Sequence, residues 1–306
     1  AVEGKVTLVD RGRYTVAVGA GEGTGPPRQV MAIKARELGR RSLVVGDRVW
    51  VVGDVSGEPD TLARLVKVGR RRTVLRRSAD DSDPVERVIV ANADRLGIVV
   101  AAADPEPRLG FVDRCLVAAF DGGLRPLMII TKTDLADPSP VAKVYSALDI
   151  PSVAIHRDAD LGALRAELAG STAVLVGQSG VGKSTLVNAL VPDADRATAA
   201  VNDVTGRGRH TSTSVQELPL PGSGWIVDTP GVRSFGLALV DPTRVIHAFP
   251  DLEAGTEACP RACEHTDEHC ALGAYVASGE AGPGGRERLD WLRRLLAARA
   301  ESPSEG

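Results

Sequence analysis

Residues Gly177 to Ser184 read GQSGVGKS, the pattern G-x-x-x-x-G-K-[ST], and they sit between an apolar run, TAVLV, and a helical stretch, STLVNAL. That setting suits a phosphate cradle: in the run Gly177, Gln178, Ser179, Gly180, Val181 and Gly182 the glycines let backbone N–H groups turn toward an anion. Lys183 supplies positive charge to the outer phosphates, Ser184 offers a hydroxyl to Mg²⁺, and Thr185 opens the helix behind them. Downstream, WIVDTPG places Asp228 at the end of another apolar run with Gly231 three residues on, so that Asp228 can orient the Mg²⁺ shell and the Gly231 N–H can meet a γ-phosphate.

A second candidate lies upstream. TKTD, from Thr131 through Lys132 to Asp134, also follows an apolar run, and a carboxylate there can accept two hydrogen bonds from the N1–H and N2–H₂ of guanine. The usual guanine motif is Asn-Lys-x-Asp, so Thr131 stands where an amide would brace the neighbouring loops. Phosphate loops ordinarily precede the base-reading motif, and here the order is reversed.

Between the phosphate loop and Asp228 runs GRGRHTSTS, rich in glycine and hydroxyls. Thr211 and Thr213 are both candidates for Mg²⁺, and His210 is a candidate to position water, because Val232 occupies the place after Gly231 where a water-orienting glutamine would stand. Near the far end, Cys259-x3-Cys263-x-His265-x4-Cys270 offers three thiolates and an imidazole, with His269 as a rival nitrogen. Four such ligands make a closed tetrahedral site of the structural kind, one Zn²⁺ stapling a segment too small to fold on its own core.

The elements that must hold these groups follow from periodicity. Residues 1 to about 75 alternate short β-rich runs (KVTLVD, RYTVAVG, RQVMAIKA, SLVVGDRVWVVG, ARLVKVG), which predicts a five-stranded OB-type barrel. From Arg87 onward apolar strands alternate with helical stretches, predicting a parallel, doubly wound α/β domain with ligands at the carboxyl ends of its strands. Beyond Asp241 come the Cys/His segment and an amphipathic helix whose Leu289, Leu292 and Leu296 share one face. The expected domains are 1–77, a barrel that binds RNA, 83–240, an α/β nucleotide domain, and 241–306, a small zinc-binding domain with helices.

Charge is unevenly spread over the 306 residues: 1–77 hold 16 Lys+Arg against 8 Asp+Glu, the remainder 21 against 32. A basic N-terminal end favours nucleic acid, and the run Arg70, Arg71, Arg72, Arg76 and Arg77 is its densest part. No apolar run approaches the ~20 residues of a membrane span, and nothing at the start reads as a secretory signal, so a cytoplasmic, monomeric protein with no membrane partner is expected. The lone Cys115, in a helical stretch, reads as packing.

Together the small basic barrel, TKTD, GQSGVGKSTLVNAL, GRGRHTST, DTPGVRSFGL and the Cys-Cys-His-Cys segment resemble the ribosome small subunit-dependent GTPase A family (RsgA/YjeQ), circularly permuted GTPases that also place guanine recognition before the phosphate loop. The resemblance implies a P-loop GTPase fold cut and rejoined elsewhere, with the site preserved in space. It further implies a GTPase assisting late maturation of the small ribosomal subunit, stimulated by it, with GTP and GDP, Mg²⁺, one structural Zn²⁺ and ribosomal RNA as ligands. His210 is the residue that the resemblance assigns to catalysis, with Lys183 and Gly231 beside it. No Ser-Ala base-contact loop is visible before LGALRAEL. Two other readings compete on residues alone: a P-loop ATPase or small-molecule kinase for which TKTD is a turn, and an RNA-binding protein merely regulated by nucleotide.

Overall fold

The computed structural model describes residues 1–19, 27–39, 42–77, 87–192, 215–229, 240–266 and 269–300. Five strands, β1 (Val2–Asp10), β2 (Arg13–Val18), β3 (Arg28–Lys34), β4 (Arg48–Gly53) and β5 (Ala63–Val68), pair in the order β1-β2-β3-β5-β4, and β4 returns to β1 to close a barrel. Period two is the reason: Val6, Val16, Val18, Val30, Ala32, Val49, Val51, Ala63 and Leu65 fill the interior, although Thr7, Thr15, Ala17 and Met31 between them are buried as well. The run SLVVGDRVWVVG is not one strand. It breaks at Gly46, whose φ of +87° and close approach to the Ala91 carbonyl leave no room for a side chain.

The Arg-rich run leaves the barrel. Strand β6 (Val74–Arg77) pairs antiparallel with β7 (Arg87–Ala91) as a separate two-stranded ribbon on helix α1 (Leu109–Gly122).

The second sheet runs β10 (Ser152–Ala154), β9 (Arg125–Thr131), β8 (Arg95–Ala101), β11 (Thr172–Gly177), β13 (Trp225–Asp228) and β12 (Gln216–Pro219). All neighbours are parallel except β12, antiparallel to β13. Alternate residues of each strand serve different cores: Ile98, Met128 and Val174 meet α1 and the C-terminal helices on one face, and Val99, Leu127 and Leu175 meet α3 (Gly162–Leu168) and α4 (Lys183–Leu190) on the other. Strands buried on both faces need apolar residues throughout, which is why these runs show no polar alternation. Strands that precede the phosphate loop in sequence, β8 to β10, lie to one side of β11, and those that follow lie to the other.

The C-terminal helices α5 (Pro242–Ile246), α6 (Pro250–Glu253), α7 (Leu272–Ala277) and α8 (Gly285–Ala300) complete the first core. Leu289, Leu292 and Leu296 are buried on one face of α8, joined by Leu295. The helix is tied to α1 by Arg294, which donates to the buried Asp113 at 2.8 Å, and by Trp291 against Tyr145, whose hydroxyl also reaches Asp113. Cys115 is buried in α1, and none of the described helices is long and apolar enough to cross a membrane.

Among the described residues, the barrel is tied to the segment that follows it and to the sheet. Asp47, fully buried, accepts two hydrogen bonds from Arg71, at 2.7 and 2.8 Å. Strand β1 pairs with β12 at Leu8 and Gln216, and Lys5 reaches the buried Glu217 at 2.7 Å while lying over the Trp225 ring. Burial raises the Glu217 carboxyl above the ordinary range, and Lys5 pulls it back. A carboxyl raised on folding makes the folded state hold its proton more tightly, so its contribution to stability declines as pH climbs from the unfolded value of ~4.3 through the folded one. Lys5→Met removes the compensating charge and should cost about 2–4 kcal/mol at pH 8, near the low end for a broken buried pair because Lys5 is 23% exposed. The deficit should shrink toward pH 5, where Glu217 takes up a proton; urea unfolding at the two pH values measures it, and a pH-independent deficit would mean that an ionised Glu217 is not its source.

Candidate nucleotide site

The phosphate loop leaves the buried end of β11, where Gly177 packs against the Val99 carbonyl so closely that a Cβ would lie 2.8 Å from it. Gly180 and Gly182 adopt φ of +83° and +90°, the left-handed region that turns successive N–H groups toward one side. Helix α4 starts at Lys183 with Gly182 as its cap, leaving Ser184 and Thr185 exposed on the first turn. Lys183 pairs with Asp228 at the end of β13. The carboxylate of Asp228 and the hydroxyl of Ser184 are hard oxygen donors of the type Mg²⁺ takes.

TKTD lies at the end of β9, two strands from the phosphate loop across the sheet. Thr131 is buried, and its hydroxyl donates to the Val181 carbonyl of the phosphate loop at 2.6 Å. Thr131 has no amide, and its hydroxyl supplies a contact to the neighbouring phosphate loop. Lys132, at φ +56°, extends to the Asp104 carbonyl, and Asp134 is exposed with its Oδ1 3.4 Å from the Arg157 backbone N–H.

Between these loops lies a cavity of about 380 Å³, which Asp134, Lys132 and Thr131 share with Gly182 and Thr185 of the phosphate loop. Leu135, Ile155, Leu161 and Leu186 form apolar walls suited to a planar base, and His156 and Arg157 border it beside Asp134. Ile155, His156 and Arg157 carry no Ser-Ala signature and are not among the residues the sequence singles out. Their signal is positional: they follow β10, and ligands of open parallel sheets gather at carboxyl ends.

A model of the RsgA GTPase family matches residues 68–238, and the small ribosomal subunit biogenesis GTPase RsgA of Gemmatimonas aurantiaca is 37% identical over 88% of this chain and 89% of its own length. The chain belongs to the RsgA GTPase family. The namesake from Pseudomonas fluorescens is 36% identical over 85% of this chain and 76% of its own. The crystal structure of YjeQ from Thermotoga maritima superposes with a TM-score of 0.66 at 27% identity, covering 96% of this chain and 98% of that one. YloQ, titled a circularly permuted GTPase, shares the fold with a TM-score of 0.65 at 22% identity, covering 99% and 96%. Membership in the RsgA family explains the reversed motif order: permutation moved β8 to β10 ahead of β11 in the chain without moving them in the sheet.

For an RsgA-family GTPase the Thr131 brace carries a prediction. Thr131→Val keeps the shape but leaves the Val181 carbonyl unpaired, a loss of about 1–3 kcal/mol. GTP affinity should fall roughly tenfold while Thr131→Ser retains most of it; equal affinities by nucleotide titration would show the brace to be dispensable.

Of the other expected groups, His210, Thr211, Thr213, Gly231 and Val232 lie outside the described residues. Cys259, Cys263, His265 and Cys270 come together with one ligand atom each, all within 4.8 Å of one another. Cys259 and Cys270 Sγ are 3.8 Å apart, and His265 Nδ1 is 3.7 and 3.5 Å from them. A tetrahedron with Zn–S of ~2.3 Å has S···S edges of ~3.8 Å, so the donor set fits zinc. His265 is buried and belongs to the cluster, whereas His269 is exposed. Burial raises the Cys270 thiol to about 12, with Cys259 adding to the effect.

The arginine run is divided. Arg70 is exposed, Arg71 is held by Asp47, Arg72 faces Asp94 at 3.5 Å, and Arg76 faces Asp121 at 3.4 Å; the side chain of Arg77 lies outside the described residues.

Proposed function

We propose that this chain is a GTPase that engages the small ribosomal subunit late in its maturation, is stimulated by that subunit and is released by hydrolysis. The observation that carries the proposal is the shared cavity: Asp134 and the phosphate loop face one pocket, as guanine-nucleotide recognition requires, in a chain of this family. In this reading Asp134 accepts the guanine N1–H and N2–H₂, Thr131 and Lys132 fix its loop, and Gly177 to Thr185 hold the phosphates. Ser184, Asp228 and one of Thr211 and Thr213 serve Mg²⁺. His210 orients water, with Lys183 and Gly231 stabilising the charge that develops on the γ-phosphate.

The partners follow from the relatives, which bear the name of small ribosomal subunit biogenesis GTPases. The barrel, taken as residues 1–77, and the zinc-binding region, taken as 241–306, flank a GTPase domain at 83–240 and meet ribosomal RNA. A cytoplasmic monomer is the working form. The segment after Asp228 leads directly toward the zinc region, so hydrolysis has a short covalent route to it.

Steady-state hydrolysis of GTP and ATP, with and without purified small subunits and at several salt concentrations, tests this reading. Strong, salt-sensitive stimulation confined to GTP is expected. Comparable ATP turnover indifferent to subunits would replace the proposal with a P-loop ATPase or kinase. Within the same assay, His210→Ala should lower stimulated turnover by about 10²-fold with little change in GTP affinity, the scale of a lost positioning group; unchanged turnover removes His210 from the chemistry.

A further inference from the structure

Of the arginines expected to touch RNA, Arg71, Arg72 and Arg76 each face a carboxylate of another segment, while Arg70 and most of Arg72 are exposed. Further positive charge on the barrel lies elsewhere. On the outward side of β4 and β5, Trp50 stands beside Lys67 in register, with its cross-strand neighbour Glu3 on β1. The Lys67 ammonium lies 4.4 Å from the centroid of the Trp50 ring, and the Arg48 guanidinium is 5.3 Å from it. Two residues along, Arg64 is exposed next to Val52. Among the described residues neither Lys67 nor Arg64 pairs with a carboxylate, and Glu3, paired with Arg48, is the acid of the patch.

We infer that this face, centred on Trp50, is a contact surface for single-stranded RNA, with an unpaired base stacking on the indole and neighbouring phosphates taken by Lys67 and Arg64. The inference rests on the ribosomal reading above and deepens it by assigning the barrel's side of the contact. Its physical basis is the combination. Trp50 is half-buried, so one part of the indole stays open to solvent, and a cation beside such a ring contributes only about 0.5–1 kcal/mol. An aromatic plane flanked by mobile cations is, however, the arrangement that binds unpaired nucleotides, where each stacked base is worth ~1–3 kcal/mol and phosphates add a salt-dependent share. The surrounding charge matches a polyanion, since 1–77 carry twice as many Lys+Arg as Asp+Glu.

The test uses the full chain, a 12-nucleotide single-stranded RNA of mixed sequence, inorganic polyphosphate and purified small subunits. Trp50→Leu should weaken binding to the single strand by about 5- to 100-fold and leave binding to polyphosphate, which has no bases, unchanged. Trp50→Phe should retain most of the affinity, which separates stacking from a folding defect. Lys67→Gln should flatten the salt dependence of RNA binding by about 0.7 in log–log slope, the value for one phosphate contact on a single strand. Unaltered RNA and subunit binding by Trp50→Leu, with GTP hydrolysis still stimulated by subunits, overturns this surface and leaves the ribosomal reading standing. Equal losses toward RNA and polyphosphate overturn the stacking role. A wild-type chain that binds neither RNA nor subunits overturns both.

Discussion

Replacing Asp134 by asparagine is expected to exchange guanine for xanthine as the preferred base. The Asp134 carboxylate offers two acceptors at the mouth of the cavity, and guanine presents two donors, N1–H and N2–H₂. An amide in its place turns one acceptor into a donor, which then opposes the guanine amino group. Hydrogen bonds to a charged group are worth about 1.5–3 kcal/mol each, so losing the pair should weaken GTP and GDP by roughly 10²- to 10⁴-fold. Xanthine carries an oxo group where guanine has the amine, and the asparagine amide can donate to it. Affinity for XDP should therefore rise above that for GDP in the variant. Competition titrations with GDP, XDP and ADP check the result. If GDP binds the variant as tightly as it binds the parent chain, Asp134 does not read the base and the cavity holds its ligand by phosphates and apolar walls alone.

That prediction depends on convergence that the linear order obscures. Asp134 and Lys183 lie on opposite sides of a long stretch of chain in an unusual order, yet both follow apolar runs, and the rule that ligands gather at the carboxyl ends of parallel strands brings them together. The barrel was legible for a similarly local reason: alternation marks each strand, and the VGD turn inside SLVVGDRVWVVG falls where Gly46 meets the Ala91 carbonyl. Partners distant in sequence were not legible. Nothing local in GRRRTVLRR shows that Arg71 is committed to Asp47, since the buried carboxylate is supplied by a turn in another segment. The hydroxyl of Thr131 likewise gains its role from the Val181 carbonyl, 50 residues away. The walls at Ile155, His156 and Arg157 escaped a search for a residue pattern because they contribute position and shape to the cavity, for which many side chains serve.

Removing zinc should have the larger structural effect. The cluster joins the 3-10 turn ending at Cys259 to Cys270 at the start of α7, a stretch with little apolar content of its own. Cys270 and Leu272 nevertheless belong to the core that α1 and α8 share, so the segment is not held by metal alone. Isolated zinc modules draw about 10–16 kcal/mol from the metal, and with part of the packing independent of it a loss of about 5 kcal/mol is expected here. For a chain of this size that corresponds to a fall in Tm of about 8 °C. The purified protein should carry one zinc per chain. Cys270→Ser and His265→Ala should each lose it, whereas His269→Ala, altering an exposed ring outside the cluster, should keep both metal and Tm. Nucleotide binding separates this effect from general unfolding: none of the residues lining the cavity lies beyond Ala189, so well below the lowered Tm the zinc-free chain should bind GDP within about threefold of the parent. A zinc-free chain with unchanged Tm would make the cluster incidental to the fold, and one that lost GDP as well would show that the C-terminal helices hold the GTPase sheet itself in shape.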